Sequence, residues 1–237
     1  MGSIFFFSDA HLGHNSPEQE KEKLDHLLGF LDHVQEHGEK LFILGDLFDF
    51  WFDYQWVIPK NALQILCALQ RLTKSGVEII YMMGNHDFWL GDFFTKDLNI
   101  TVCRELDIRL GNKRFYISHG DGLNKKDVGY RILKSILRHP MTPWICRGLH
   151  PNLVFSLANS FSRKSREFRP NRDISEPYVE FAQTQFDKGF DCVLLAHTHQ
   201  EMVHEQNGYL YLNTGEWIHT YSYAEFKNNQ LQLKYWT

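Results

Sequence analysis

Five short apolar runs, Ile4 to Phe7, Leu41 to Leu44, Val77 to Met83, Phe115 to Ser118 and Cys192 to Leu195, punctuate this chain, and each ends in a cluster of polar residues. The clusters read Asp9-Ala10-His11, Gly45-Asp46-Leu47-Phe48-Asp49, Gly84-Asn85-His86-Asp87, His119-Gly120-Asp121 and His197-Thr198-His199. Runs of this length, rich in aromatic and β-branched residues, read as buried strands. In an α/β sheet the carboxyl ends of such strands converge on one edge, where ligands bind. The pattern thus demands a sheet that gathers all five clusters.

The segments between the runs divide the chain into two styles. Ser16-Pro17 with Gln19 three residues after Ser16 has the spacing of a capping box with proline at the first helical position, which predicts a helix to about Gly38. A second helix is expected from Pro59 to about Ser75, with Leu63, Leu66 and Leu69, or Ala62, Ile65 and Leu69, on its buried face. Alternating strand and helix over the first hundred residues predicts a parallel sheet covered on both faces. Later, hairpin signals at Gly111-Asn112, Asn207-Gly208 and Asn228-Asn229 predict a β-rich second half whose sheet packs on the first. With 237 residues and 43% hydrophobic content, residues 1–237 are expected to form one domain.

One segment breaks the β pattern. From Gly122 to Arg172 there are 11 Lys or Arg against two acids, a charge of +9 in a chain whose net charge is −4. Helical spacing over Tyr130 to Leu137 and Leu149 to Phe161, with Pro140 and Pro143 between them, predicts a helical insertion at about 122–172. The overall acidity disfavours nucleic acid as a partner, and nothing in the sequence points to a protein partner. No basic leader and no apolar stretch near the ~20 residues of a spanning helix are present, so neither a signal peptide nor a membrane span is expected. Four scattered cysteines without a CxxC pair argue against a zinc knuckle or disulfide framework and for a reducing compartment. The expectation is a cytoplasmic protein, able to sit peripherally on the inner face of the cytoplasmic membrane.

Carboxylate, imidazole and amide oxygen are ligands for a first-row divalent ion, with no thiolate in the set. Taken singly, Asp-x-His is common by chance, and His119-Gly120-Asp121 reads as easily as a turn. The joint occurrence at strand ends is the specific signal. His14, His26, His33, His37, His139, His150, His204 and His219 lack such a setting and are read as surface or packing residues.

These clusters, in this order, resemble the pattern of the calcineurin-like metallophosphoesterases, D-x-H, GD-x-x-D, GNH-D, H and G-H-x-H, over nearly the whole chain. The resemblance implies an α/β fold of two mixed β-sheets packed as a sandwich flanked by helices, here with a helical cap insertion. It implies two divalent ions, with Asp9, His11 and His199 holding one, Asn85, His119 and His197 the other, and Asp46 bridging. Manganese is favoured by the family, while iron or zinc suits the same ligands. Such a pair would share a hydroxide and clamp phosphoryl oxygens for in-line attack. His86 would stabilise the phosphoryl group or protonate the leaving oxygen, with Asp87 orienting it.

Within that family the chain is similar to the UDP-2,3-diacylglucosamine diphosphatases of lipid A synthesis. The matching features are Phe50-Trp51-Phe52 after the second cluster, Asn85-His86-Asp87-Phe88, His119-Gly120-Asp121-Gly122-Leu123 leading to Asp127 and Tyr130, and Leu212 to Trp217. This implies a nucleotide-linked lipid substrate, a membrane surface as partner, and substrate contacts from Asn85, Asp127, Arg163, Lys164 and Arg166. Trp144, Ile145, Leu149, Leu153, Val154, Phe155, Leu157 and Phe161 would line an apolar slot, or else simply pack the helix pair on the core. Ala196 replaces the family's usual glycine, and His86 stands where members of the group often have arginine. The competing readings are a phosphodiesterase or nucleotide pyrophosphatase for another capped substrate, and a non-enzymatic membrane- or nucleic-acid-binding module.

Overall fold

The computed structural model describes residues 2–124, 128–167 and 176–237, without the side chains at 128, 130–133, 161 and 163–167. The first sheet holds six strands in the order β11 (Gln230–Tyr235), β10 (Ser222–Lys227), β1 (Ser3–Phe7), β2 (Gly38–Ile43), β3 (Glu78–Met82) and β4 (Thr101–Cys103), with the short helix α3 (Phe93–Lys96) between β3 and β4. Its parallel part comprises β1, β2, β3 and β4. The second sheet has the order β5-β6-β7-β9-β8, from β5 (Glu105–Leu110), β6 (Lys113–Ser118), β7 (Cys192–Leu195), β8 (Glu201–Gln206) and β9 (Tyr209–Thr214). Here β6, β7 and β9 are parallel, with antiparallel strands at both edges. The sandwich of two mixed sheets is as expected from the family pattern.

Alternation along β1 explains why two sheets are needed. Phe5 and Phe7 face α1 (Pro17–His37) and α2 (Leu63–Lys74), packing with Leu27, Phe30, Leu41, Ile65 and Leu69. Ile4 and Phe6 face the other way, into a second apolar layer with Phe42, Ile80, Phe115, Ile117, Leu194 and Leu212. Phe6 stacks on Phe42 at 4.8 Å and on Phe115 of the opposing sheet at 6.4 Å, tying the sheets face to face. Burying each such side chain contributes about 1.5–3 kcal/mol. The outer face of the second sheet is covered by α7 (Glu176–Phe186) through Tyr178, Ala182 and Phe186.

The first sheet is covered on both faces as expected, by helices on one and by the second sheet on the other. Two expectations are corrected. The last hairpin, β10 (Ser222–Lys227) and β11 (Gln230–Tyr235), joins the first sheet through antiparallel pairing of β10 with β1, rather than the second. Between the two helices foreseen in the basic segment, now α4 (Val128–Leu137) and α6 (Pro151–Glu167), lies a third, α5 (Thr142–Gly148), with a proline in its first turn. Pro143 therefore opens a helix rather than only interrupting one. The helix α1 has the foreseen cap, Ser16 Oγ accepting from Gln19 N, and α2 buries the Ala62, Ile65, Leu69 face while Leu63 is exposed.

Candidate metal centre

Every one of the five clusters lies on the loop that leaves a parallel strand at its carboxyl end, so β1, β2, β3, β6 and β7 deliver them to one rim. The loops are laced together by their backbones. Asp9 N donates to Gly45 O at 3.1 Å, His11 N to Asp46 O at 3.0 Å, and Ala196 N to His119 O at 3.0 Å. Trp217 N donates to Asp9 O at 3.2 Å, and Asn213 Nδ2 to Ala196 O at 2.9 Å, which gives the Leu212 to Trp217 segment its structural task.

The rim is crowded enough to dictate glycine. Gly45 has φ +97°, and a Cβ there would lie 2.7 Å from His119 Nδ1 and 2.8 Å from Gly84 Cα. A Cβ on Gly84 would fall 2.0 Å from Asp46 Oδ1. Five of the ten described non-glycine residues in the left-handed region are Asp9, His11, Asp46, His197 and His199. Each such residue costs of order 1–3 kcal/mol, so the surrounding contacts must hold it there.

Three groups of donor atoms result: Asp9, His11 and His199; His11, Asp46 and His86; and Asp46, His119 and His197. Asp9 Oδ1 lies 3.5 Å from His11 Nε2 and 3.3 Å from His199 Nε2, and those two nitrogens are 3.2 Å apart. Asp46 Oδ2 stands 3.7 Å from His11 Nε2 and 3.3 Å from His119 Nε2, placing it between the two outer groups. Asn85 Oδ1 is 3.1 Å from His119 Nε2. Donor atoms about 2.1 Å from a common ion at angles near 90–110° stand about 3.0–3.4 Å apart, so these separations suit divalent cations. Asp9 Oδ1 supports the fit: it is buried and has no hydrogen-bond partner. The geometry thus brings all seven expected ligands together.

Charge follows the same logic. Asp46 and Asp9 are held below the usual carboxylate range: burial raises both, but neighbouring imidazoles outweigh it. His119 is pushed up to about 10, because the Asp46 charge and hydrogen bond outweigh burial. His86 is driven down to about 4 by burial, against the pull of Asp46 and Asp49.

The expected pairing of Asp87 with His86 is corrected. Adjacent residues in this tight turn point apart. The Asp87 carboxylate is fully buried and accepts from Leu47 N at 2.8 Å, Gly84 N at 3.0 Å, Asp46 N at 3.2 Å and the Tyr81 hydroxyl. It braces the second and third loops together. His86 is oriented instead by Asp49, whose carbonyl lies 2.8 Å from His86 Nδ1. Asp49 also faces His11 Nδ1 at 3.4 Å and accepts from Ser162 Oγ of α6 at 3.0 Å. The second carboxylate of Gly45 to Asp49 was the signal for this role. His14, read as a surface or packing residue, shares with Gly13, Asn15, Asp49 and Asn159 a polar cleft of about 210 Å³ between the rim and α6.

Of the expected substrate contacts, Asn85 is at the centre, Asp127 lies outside the described residues, and the side chains of Arg163, Lys164 and Arg166 do as well. The helical segment is anchored by Arg138 Nη2, 3.1 Å from Asp121 Oδ2, by Lys134 Nζ donating to Asp121 O at 2.9 Å, and by Phe155 set edge-on to Phe50 at 5.0 Å. Val154 is buried, whereas Trp144 is 78% exposed and Ile145, Leu149, Leu153 and Leu157 are exposed too. These apolar side chains face outward instead of lining an enclosed slot.

The calcineurin-like phosphoesterase family model matches residues 2–201, and the chain belongs to that family. A UDP-2,3-diacylglucosamine hydrolase of Porphyromonas gingivalis is 28% identical over 98% of this chain and 96% of that protein. One of Pseudomonas savastanoi is 32% identical over 85% of this chain and 81% of its own, and one of Haemophilus influenzae 26% over 94% and 93%. Among solved structures, a protein of Pyrococcus horikoshii aligns with TM-score 0.54 at 12% identity, covering 99% of this chain and 87% of its own. An archaeal phosphodiesterase aligns with TM-score 0.51 at 13% identity, covering 98% and 99%; both share the fold.

Proposed function

We propose that this family member hydrolyses the pyrophosphate of UDP-2,3-diacylglucosamine to UMP and 2,3-diacylglucosamine 1-phosphate. The observation that carries this reading is the pairing of a rim with seven convergent metal-type ligands and, directly beside it, helices that present apolar side chains. The names and near full-length match of the relatives give the substrate class. Asp9, His11 and His199 would hold one divalent ion, Asn85, His119 and His197 the other, and Asp46 would bridge. Bound there, divalent ions supply an activated water and neutralise phosphoryl oxygens. Manganese is the proposed metal, on a ligand set of carboxylate, imidazole and amide oxygen.

His86 is proposed to meet the phosphoryl group. Asp49 fixes its ring beside His11, centroids 4.6 Å apart, and an arriving phosphate brings the negative charge that favours its protonated form. The helices α4–α6 are proposed as a cap, within an insertion at about 122–172, that takes the acyl chains and meets a membrane surface. Ile136, Met141, Trp144 and Ile145 are exposed on it, and the basic residues of the segment suit anionic headgroups. Among the described residues no helix is long and apolar enough to cross a membrane. The proposed membrane contact is peripheral, on the inner face of the cytoplasmic membrane. Arg163, Lys164, Arg166, Asp127 and Asn85 are the proposed sugar and phosphate contacts.

The test is product analysis by mass spectrometry with Mn²⁺, comparing the diacyl substrate with an acyl-free UDP-sugar. UMP and lipid phosphate from the first, with little turnover of the second, is the expected result. Equal cleavage of both would overturn the lipid assignment in favour of a nucleotide pyrophosphatase.

A further inference from the structure

The buried stripe of α1 reads Lys23, Leu27, Phe30, Leu31 and Val34, so a lysine occupies a core position of an otherwise apolar face. Lys23 is 0% exposed. Taking an ammonium out of water costs several kcal/mol unless partners hold it. Its Nζ donates to His11 O at 3.0 Å and pairs with Glu20 Oε1 at 2.7 Å. Glu20 in turn accepts from Gly13 N at 2.8 Å and Asn15 N at 2.9 Å. One helical turn thereby grips both sides of the loop that carries His11.

That loop needs a grip. His11 sits at φ +44°, where an L-residue is strained by about 1–2 kcal/mol. Its N–H is pinned to Asp46 O at 3.0 Å and the next N–H, of Leu12, to Leu47 O at 2.9 Å. These bonds tie the loop to its neighbour on the rim, while the Lys23 ammonium fixes the intervening carbonyl from the helix side. The direction of that carbonyl sets the backbone turn at His11, and so the aim of an imidazole whose Nε2 stands 3.2 to 3.7 Å from the donor atoms of His199, Asp9 and Asp46.

We infer that Lys23, locked by Glu20, is a positioning residue for the metal centre, holding His11 in its ligating conformation from inside the core. The inference rests on the metal reading above but not on the substrate. It is tested without substrate, by titrating metal-stripped full-length protein with Mn²⁺ and reading free Mn²⁺ by its electron paramagnetic resonance signal. Lys23→Met should raise the half-saturating Mn²⁺ concentration by about 10- to 100-fold, the usual loss when a group that orients a ligand is removed. Excess Mn²⁺ should then fill the centre to the wild-type stoichiometry. Leu31→Ala, a cavity in the same helix, should lower Tm and leave Mn²⁺ affinity in place. Should Lys23→Met not fold, Glu20→Ala, at a partly exposed position, reads the same brace and should weaken Mn²⁺ binding several-fold. Unchanged affinity in the folded variants, or an equal loss in Leu31→Ala, would overturn the assignment. Wild-type protein that binds Mn²⁺ but leaves the lipid substrate intact would sink the proposed reaction alone.

Discussion

The rim of the sandwich and the helices α4–α6 beside it are held by opposite means. At the rim, Asp9, His11, Asp46 and His119 are at most 1% exposed, stand in strained or crowded backbones, and are fixed by bonds from neighbouring loops. On the helices, Trp144, Ile145, Leu149, Leu153 and Leu157 are exposed, and among the described residues the attachments include Arg138 with Asp121 and Phe155 with Phe50. A fold tolerates strain where surrounding structure over-determines it, and exposes apolar surface where a partner will cover it. The rim is thus held rigidly, and the helices carry the exposed apolar surface that the proposed cap would offer to acyl chains or a membrane.

Asp46→Asn should show the largest effect, because Asp46 belongs to one outer donor cluster, with His119 at 3.3 Å, and its carboxylate also lies 3.7 Å from His11 of the other. Replacing its charge while keeping its shape should cut turnover at saturating Mn²⁺ by about 10³-fold or more. A variant within tenfold of wild type, with intact circular dichroism, would show that the rim does not depend on a shared carboxylate. Next in size is Asp87→Ala, which strands the N–H groups of Asp46, Leu47 and Gly84 and the Tyr81 hydroxyl. It should destabilise the protein by about 3 kcal/mol, read as a lower urea midpoint at constant m. A shift under about 1 kcal/mol would mean that the loops are not braced through this carboxylate.

The helices should answer in reverse. Trp144→Ser with Ile145→Ser should leave unfolding stability within about 0.5 kcal/mol, since neither side chain is buried. Binding to vesicles of anionic phospholipid should nevertheless weaken by roughly tenfold or more, as two large side chains no longer enter the bilayer. Vesicle affinity equal to wild type would remove these residues from any membrane contact.

How much of this contrast was legible in the sequence differs between the regions. At the rim the five polar clusters were legible at strand ends, and the family resemblance picked out the seven residues that the structure gathers there. What the sequence concealed there was direction. Asp87 follows His86 in the chain yet points into the backbone of another loop, and a left-handed backbone at His11 or His199 has no marker when the residue is not glycine or asparagine. Lys23 was hidden in an otherwise ordinary polar stretch of α1. The fold was legible as strands and hairpins, but a hairpin signal does not name the strand that its hairpin will join, so the pairing of β10 with β1 was not legible. In the basic segment, helical spacing revealed two of the three helices but not that Trp144, Ile145, Leu149, Leu153 and Leu157 would be exposed.

Ser162→Ala probes where the two regions meet and should have the smallest effect. Ser162 belongs to α6, yet its buried hydroxyl donates to Asp49 Oδ1 at 3.0 Å, the oxygen that also faces His11 Nδ1 at 3.4 Å. A hydrogen bond to a charged partner contributes about 1.5–3 kcal/mol when desolvated, and less where a water takes its place, so a loss near 1 kcal/mol is expected. If the helices merely shelter the substrate, that loss should appear only in thermal stability. If they also help to orient His11 through Asp49, turnover should fall about three- to tenfold while Mn²⁺ affinity declines in step. A variant with lowered Tm and unaltered kcat and metal binding would separate the two regions, leaving the helices with the partner and the rim with the chemistry.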